Sequence, residues 1–166
     1  MKIFITIFVF FFIFSIALFF LGYIRPNNPD LKDFAAHGID VSHHQGEIDW
    51  PAVPKDKASF VYIKSTEGGD WKDTRFQENW NGARNAGLKT GAYHFFTLCR
   101  DGKTQAQNFI ESVSQDASAL APAIDLEYVG NCAARPTRDE FKKELDDFLS
   151  VIESHYGVTP VLYTTK

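Results

Sequence analysis

The sequence predicts an α/β fold of the β/α-barrel type, and three observations carry that prediction. Short apolar, strand-like runs alternate along the chain with stretches of helical periodicity. Repeated β-α units of this kind require parallel strands joined by right-handed crossovers. Polar and aromatic side chains gather where those runs end, at Asp40, Lys64, Tyr93, Asp125, Glu127 and Tyr163. The C-terminal strand ends are where such barrels carry their chemistry.

Taken in order, the chain begins with an uncharged apolar run over residues 3–24, preceded by Lys2 and followed by Arg25-Pro26-Asn27-Asn28-Pro29-Asp30. At about 1.5 Å per residue this run reaches the ~30 Å of a bilayer core. Leu18-Phe19-Phe20-Leu21 offers no small-x-small cleavage site, so residues 1–24 are expected to be an uncleaved signal anchor, a single transmembrane helix, with a cleaved secretory signal as the alternative. Lys2 at the cytoplasmic end places the rest of the chain on the extracytoplasmic side. Residues 25–36, rich in Pro and Asn, read as a linker, and 37–166 as the folded domain.

Strands are expected near 38–42, 59–65, 89–96, 121–127 and 160–165. In the first, Ile39 and Val41 take one face while Gly38, Asp40 and Ser42 take the other, giving a buried-looking strand end that carries an acid. Phe76, Trp80 and Ala83 form a helical stripe that stops at Gly87, and Ala106, Phe109, Ile110 and Val113 form a second. The strongest helix runs from Thr137 to about Tyr156. It opens on a capping box, buries Phe141, Leu145, Phe148 and Ile152, and closes at Gly157.

The chemistry centres on Ala121-Pro122-Ala123-Ile124-Asp125-Leu126-Glu127. Side chains at i and i+2 of a strand leave the same face with Cα atoms roughly 6.5 Å apart, so the Asp125 and Glu127 carboxylates converge. Retaining glycosidases hold two carboxyl groups about 5–5.5 Å apart, one as acid and one ionised. Asp40 occupies a similar strand-end setting and would add to the charge there. Lys64 and Glu67 either pair with each other or contact a substrate. Tyr93 and Tyr163 either stack on a sugar ring or fill the core. His43 and His44 beside Asp40 make a poor metal site, because adjacent strand residues point apart and no His-x-x-x-His follows; neither a metal nor another cofactor is expected. A net charge of −4 with no basic stripe disfavours nucleic acid, and no phosphate-binding glycine loop supports a nucleotide.

Five segments together resemble glycoside hydrolase family 25, the bacterial and phage-type lysozymes or muramidases. They are Gly38-Ile39-Asp40-Val41-Ser42-His43-His44-Gln45-Gly46-Glu47-Ile48-Asp49-Trp50, Ile63-Lys64-Ser65-Thr66-Glu67-Gly68, Gly91-Ala92-Tyr93-His94-Phe95-Phe96, the Asp125-Leu126-Glu127 segment and Pro160-Val161-Leu162-Tyr163-Thr164. The resemblance implies a TIM-like barrel and cleavage of the β-1,4 bond between N-acetylmuramic acid and N-acetylglucosamine in peptidoglycan strands. It also implies a barrel left incomplete, with about five β/α units before Lys166 and the later strands and a further acidic residue missing. A glycan-binding envelope protein without activity, or a gene fragment, is the alternative. Within this frame Glu127, desolvated at the rim, is the expected general acid. Asp125 would stay charged as nucleophile or orient the substrate's acetamido arm. Cys99 and Cys132 follow two strand ends and are expected to pair as a disulfide across neighbouring loops, with free thiols or metal ligands as alternatives.

Overall fold

Alternating strand residues split into a helix-covered face and an open face, and that division positions the polar side chains. A computed structural model describes residues 34–165 and, of the N-terminal segment, residues 11, 12, 14–16 and 18. The chain divides into two units, Met1–Ala35 and Ala36–Lys166. In the first, the described residues 11, 12, 14–16 and 18 are helical. Among the described residues no helix is long and apolar enough to cross a membrane. The rest of the apolar run 3–24, and residues 25–33 of the linker, lie outside the described residues.

In the second unit the strands are β1 (Gly38–Val41), β2 (Phe60–Glu67), β3 (Trp71–Lys72), β4 (Lys89–Phe95), β5 (Ala123–Leu126) and β6 (Val161–Thr164). The sheet order is β1-β2-β4-β5-β6, every neighbouring pair parallel, with the unpredicted β3 added antiparallel to the end of β2. Three helices form the crossovers: α1 (Phe76–Asn85), α2 (Gly102–Ser112) and α3 (Arg138–Tyr156). Val61, Ile63 and Ile124 of the sheet are buried against Phe109, Phe148 and Ile152 of the helices. Each such side chain contributes about 1.5–3 kcal/mol on leaving water. α3 starts at the Thr137–Glu140 capping box and ends at Gly157 in the left-handed conformation, φ 70°. Phe148 and Ile152 are its buried residues, while Phe141 and Leu145 are only partly covered.

A polar cluster of His94, Thr66 and Gln105 lies in this core. His94, on the helix side of β4, is wholly buried, stacks on Phe148 at 5.0 Å and has its pKa pushed down to about 3, chiefly by burial. Gln105 fixes its tautomer. The Gln105 amide nitrogen donates to the carbonyls of Thr97 and Arg100, so its oxygen is the group that accepts from His94 Nε2 at 3.2 Å. His94 Nδ1 then accepts from the Thr66 hydroxyl at 2.7 Å. This histidine is a neutral structural bridge between β2, β4 and α2.

β2 carries an irregularity with consequences for the open face. Its register against β4 shifts between Lys64 and Thr66, so Lys64 pairs with Tyr93 but Glu67 pairs with Phe95. The extra residue, Ser65, donates its hydroxyl to the Tyr93 carbonyl at 3.0 Å. A regular strand would send positions i and i+3 to opposite faces; the bulge returns Lys64 and Glu67 to the same one.

Candidate active site

Three strand registers stack the polar side chains on the open face. Asp40 pairs with Tyr62, Tyr93 with Ala123, and Asp125 lies between Phe95 and Tyr163. They line a cavity of about 380 Å³ with Tyr62, Glu127 and Tyr163 at its walls. Its floor depends on two glycines. A Cβ on Gly38 would lie 2.1 Å from the Phe60 ring, and one on Gly91 would lie 2.4 Å from the Tyr62 ring, so both aromatics lie flat only because the neighbouring strands carry none. Tyr62 is fixed by donating its hydroxyl to the Ala121 carbonyl at 3.0 Å.

The carboxylates differ in setting. Asp125 is partly buried, and its pKa is raised to about 6 by burial first, then by the Glu127 and Asp40 charges, against an opposing effect from Lys64. Its Oδ1 is buried with no hydrogen-bond partner among the described residues. Asp125, expected from sequence to stay charged, is thus a carboxyl whose charged form is disfavoured by burial. Asp40, read from sequence as a buried strand end, is exposed, because β1 is an edge strand and only Val41 of its four residues is buried. Tyr93 is held protonated: burial, then the Asp40, Asp125, Asp73 and Glu127 charges, all raise its pKa. Tyr163 is 57% exposed on the opposite edge strand.

Lys64 and Glu67 pair with each other at 2.7 Å. The Lys64 ammonium, almost covered, lies 4.8 Å from the Phe95 ring centre and 5.0 Å from that of Trp71. Aromatic faces and a carboxylate together hold a desolvated cation next to the acid cluster. Cys99 and Cys132 are joined, with Cα atoms 6.4 Å apart, linking the loops after β4 and β5.

Sequence reasoning missed two supporting residues, Asn131 and Asp73. Asn131 accepts from the Leu98 and Cys132 amides and donates to the Phe96 and Glu127 carbonyls, so one side chain ties both loops together. Asp73, fully buried, accepts from the backbone N–H and from Nδ1 of His43. No sequence signal marks a lone Asn in a loop, or a His and an Asp thirty positions apart. Among the described residues, no group of three His, Cys, Asp or Glu is placed to hold a metal ion.

A parallel β/α sheet with acids converging at its C-terminal strand ends, over an aromatic-floored cleft, is the build of an α/β glycosidase. The model of glycosyl hydrolases family 25 matches residues 39–166, and the chain belongs to that family. It is 37% identical over 134 residues to Lysozyme M1 of Streptomyces globisporus, covering 77% of this chain and 46% of that protein. It is 33% identical over 136 residues to the uncharacterized protein YegX of Escherichia coli K12, covering 79% and 48%. The family 25 glycosyl hydrolase of Bacillus anthracis superposes with a TM-score of 0.77 at 35% identity, over 85% of this chain and 66% of that one. The chain spans about half the length of the curated relatives it matches.

Proposed function

We propose that the protein is a lysozyme-type peptidoglycan hydrolase, an N-acetylmuramidase cleaving the β-1,4 bond between N-acetylmuramic acid and N-acetylglucosamine. The observation that carries this is the convergence of Asp40, Asp125 and Glu127 in one aromatic-lined cleft. Relatives named Lysozyme M1 and N,O-diacetylmuramidase point to the same substrate class. Glu127, beyond the last paired residue of β5, is the proposed proton donor to the leaving oxygen, since a bound sugar ring would strip water from it. Asp125 then stabilises positive charge at the anomeric carbon or orients the acetamido group, and Asp40 deepens the negative field. Tyr93 and Tyr163 are proposed to contact the sugar, and the Lys64–Glu67 pair to border it. One observation favours exchanged roles: Asp125 is the carboxyl raised to about 6, with one oxygen unpartnered.

The site is proposed to face the periplasm or cell surface, the chain held at the membrane by residues 1–24.

Glu127→Gln is the direct test of the activity. The amide keeps shape but carries no transferable proton, so release of reducing ends from purified cell walls should fall by about 10²–10⁴-fold while folding is retained. Parental rates in that variant overturn the assignment. If Asp125 is the donor instead, Asp125→Asn alone gives the larger loss.

A further inference from the structure

A glycan strand is longer than a cavity of about 380 Å³, so it must leave the cleft across the rim. On the β1–β2 side His43, in the turn after β1, and Trp71 of β3, paired with the C-terminal end of β2, lie past the strand ends, their rings 5.1 Å apart. They adjoin the cleft through two links: the Lys64 ammonium, which faces Trp71 and also acts on Asp125, and the Asp73 carboxylate, whose charge reaches Tyr93.

His43 is oriented with unusual completeness for a partly exposed side chain. Asp73 Oδ2 accepts from its backbone N–H and from Nδ1, each at 2.9 Å, while Asp73 Oδ1 accepts from the Arg75 amide at 2.8 Å. Asp73 is itself anchored through its own N–H to the carbonyl of the bulged Ser65. Because the carboxylate accepts the Nδ1–H hydrogen bond, Nε2 is the ring's remaining polar atom, and it has no partner among the described residues. The Trp71 indole N–H likewise has none. A ring locked by a buried carboxylate and left with one open ring nitrogen, beside an aromatic edge with an open donor, is a preorganised polar and aromatic surface.

We propose that His43 and Trp71 form a second glycan-binding position outside the cleavage cleft, taking a further N-acetylated sugar ring of the same strand through its hydroxyl or acetamido groups. The inference rests on the peptidoglycan reading. Sugar hydroxyls both donate and accept, and so match Nε2 and the indole N–H together. Asp73 acts as a positioning residue, since it touches His43 and not the sugar.

The test is equilibrium binding to the full chain carrying Glu127→Gln, so that no cleavage occurs, with alternating N-acetylglucosamine–N-acetylmuramic acid oligosaccharides of two and six sugars. His43→Asn keeps a donor at the Nδ1 position for Asp73 but deletes Nε2. Trp71→Phe keeps an aromatic ring over Lys64 but deletes the indole N–H. Each should weaken the six-sugar ligand about five- to tenfold and leave the two-sugar ligand within about twofold. Both variants should melt within about 3 °C of their parent, which excludes misfolding as the cause. Equal losses at both lengths, or none at either, overturn the proposal. Failure of the Glu127→Gln parent to bind either length overturns the peptidoglycan reading and this inference with it.

Discussion

Asp125 shows how a site residue works against the stability of its own fold. Burial and the neighbouring Glu127 and Asp40 charges raise its folded-state pKa to about 6, above the ordinary 3.8. The folded state therefore holds a proton the unfolded chain has lost between those values, and stability falls as pH rises from about 4 to 6, staying low above that. Asp125→Asn removes the charge and should stabilise the protein at pH 7 by about 1 kcal/mol, the partial exposure of the group limiting the gain. The advantage should vanish near pH 4. Urea unfolding of both proteins at the two pH values measures this, and equal stability of the pair at pH 7 would contradict it. Any wall-degrading rate should fall in the same variant, a stability–activity opposition of the kind expected where a carboxyl is held in a poor solvent for its charge.

At the scale of elements, strand ends carry the site and local bonds hold the loops that follow them. The segments after β4 and β5 are joined by Asn131 and by the Cys99–Cys132 bridge, and Phe96 also donates its N–H to the Asp125 carbonyl at 3.0 Å. Closing the chain between two cysteines 33 positions apart contributes about 3–4 kcal/mol in the chain-entropy description. The double variant Cys99→Ser with Cys132→Ser should lose about that much in urea unfolding, and non-reducing peptide maps of the parent should recover the two cysteine peptides linked. Quantitative alkylation of both thiols without reductant would refute the bridge. The strands and helices themselves were legible because apolar periodicity and capping signals are local: Thr137, Glu140 and Gly157 announce both ends of α3. The bulge at Ser65, the short β3 and the His43–Asp73 contact were not legible. Each is settled by how one segment meets another rather than by the residues' own propensities. The same cause misplaced the buried setting of Asp40, since a sequence does not say which strand becomes an edge.

For the whole molecule, residues 3–24 carry the proposal that this domain works beside a membrane. They form an uncharged run rich in Phe, Ile and Leu, long enough at about 1.5 Å per residue to cross a ~30 Å hydrocarbon core. The chain carries 17 basic against 21 acidic residues, so its net charge gives no attraction to an anionic lipid surface. A muramidase tethered this way would reach the glycan strands lying against its own membrane, with the linker setting its range. The chain should therefore fractionate with membranes at its full mass of 18.8 kDa and resist extraction by carbonate. Protease added to the extracytoplasmic face should degrade residues 37–166. The bulky Leu18-Phe19-Phe20-Leu21 stretch gives a signal peptidase no small residues to recognise, so little processing is expected. A predominantly soluble extracytoplasmic species whose N-terminus begins near residues 23–30 would replace the anchor with a cleaved signal, and with it the tether with a diffusing enzyme.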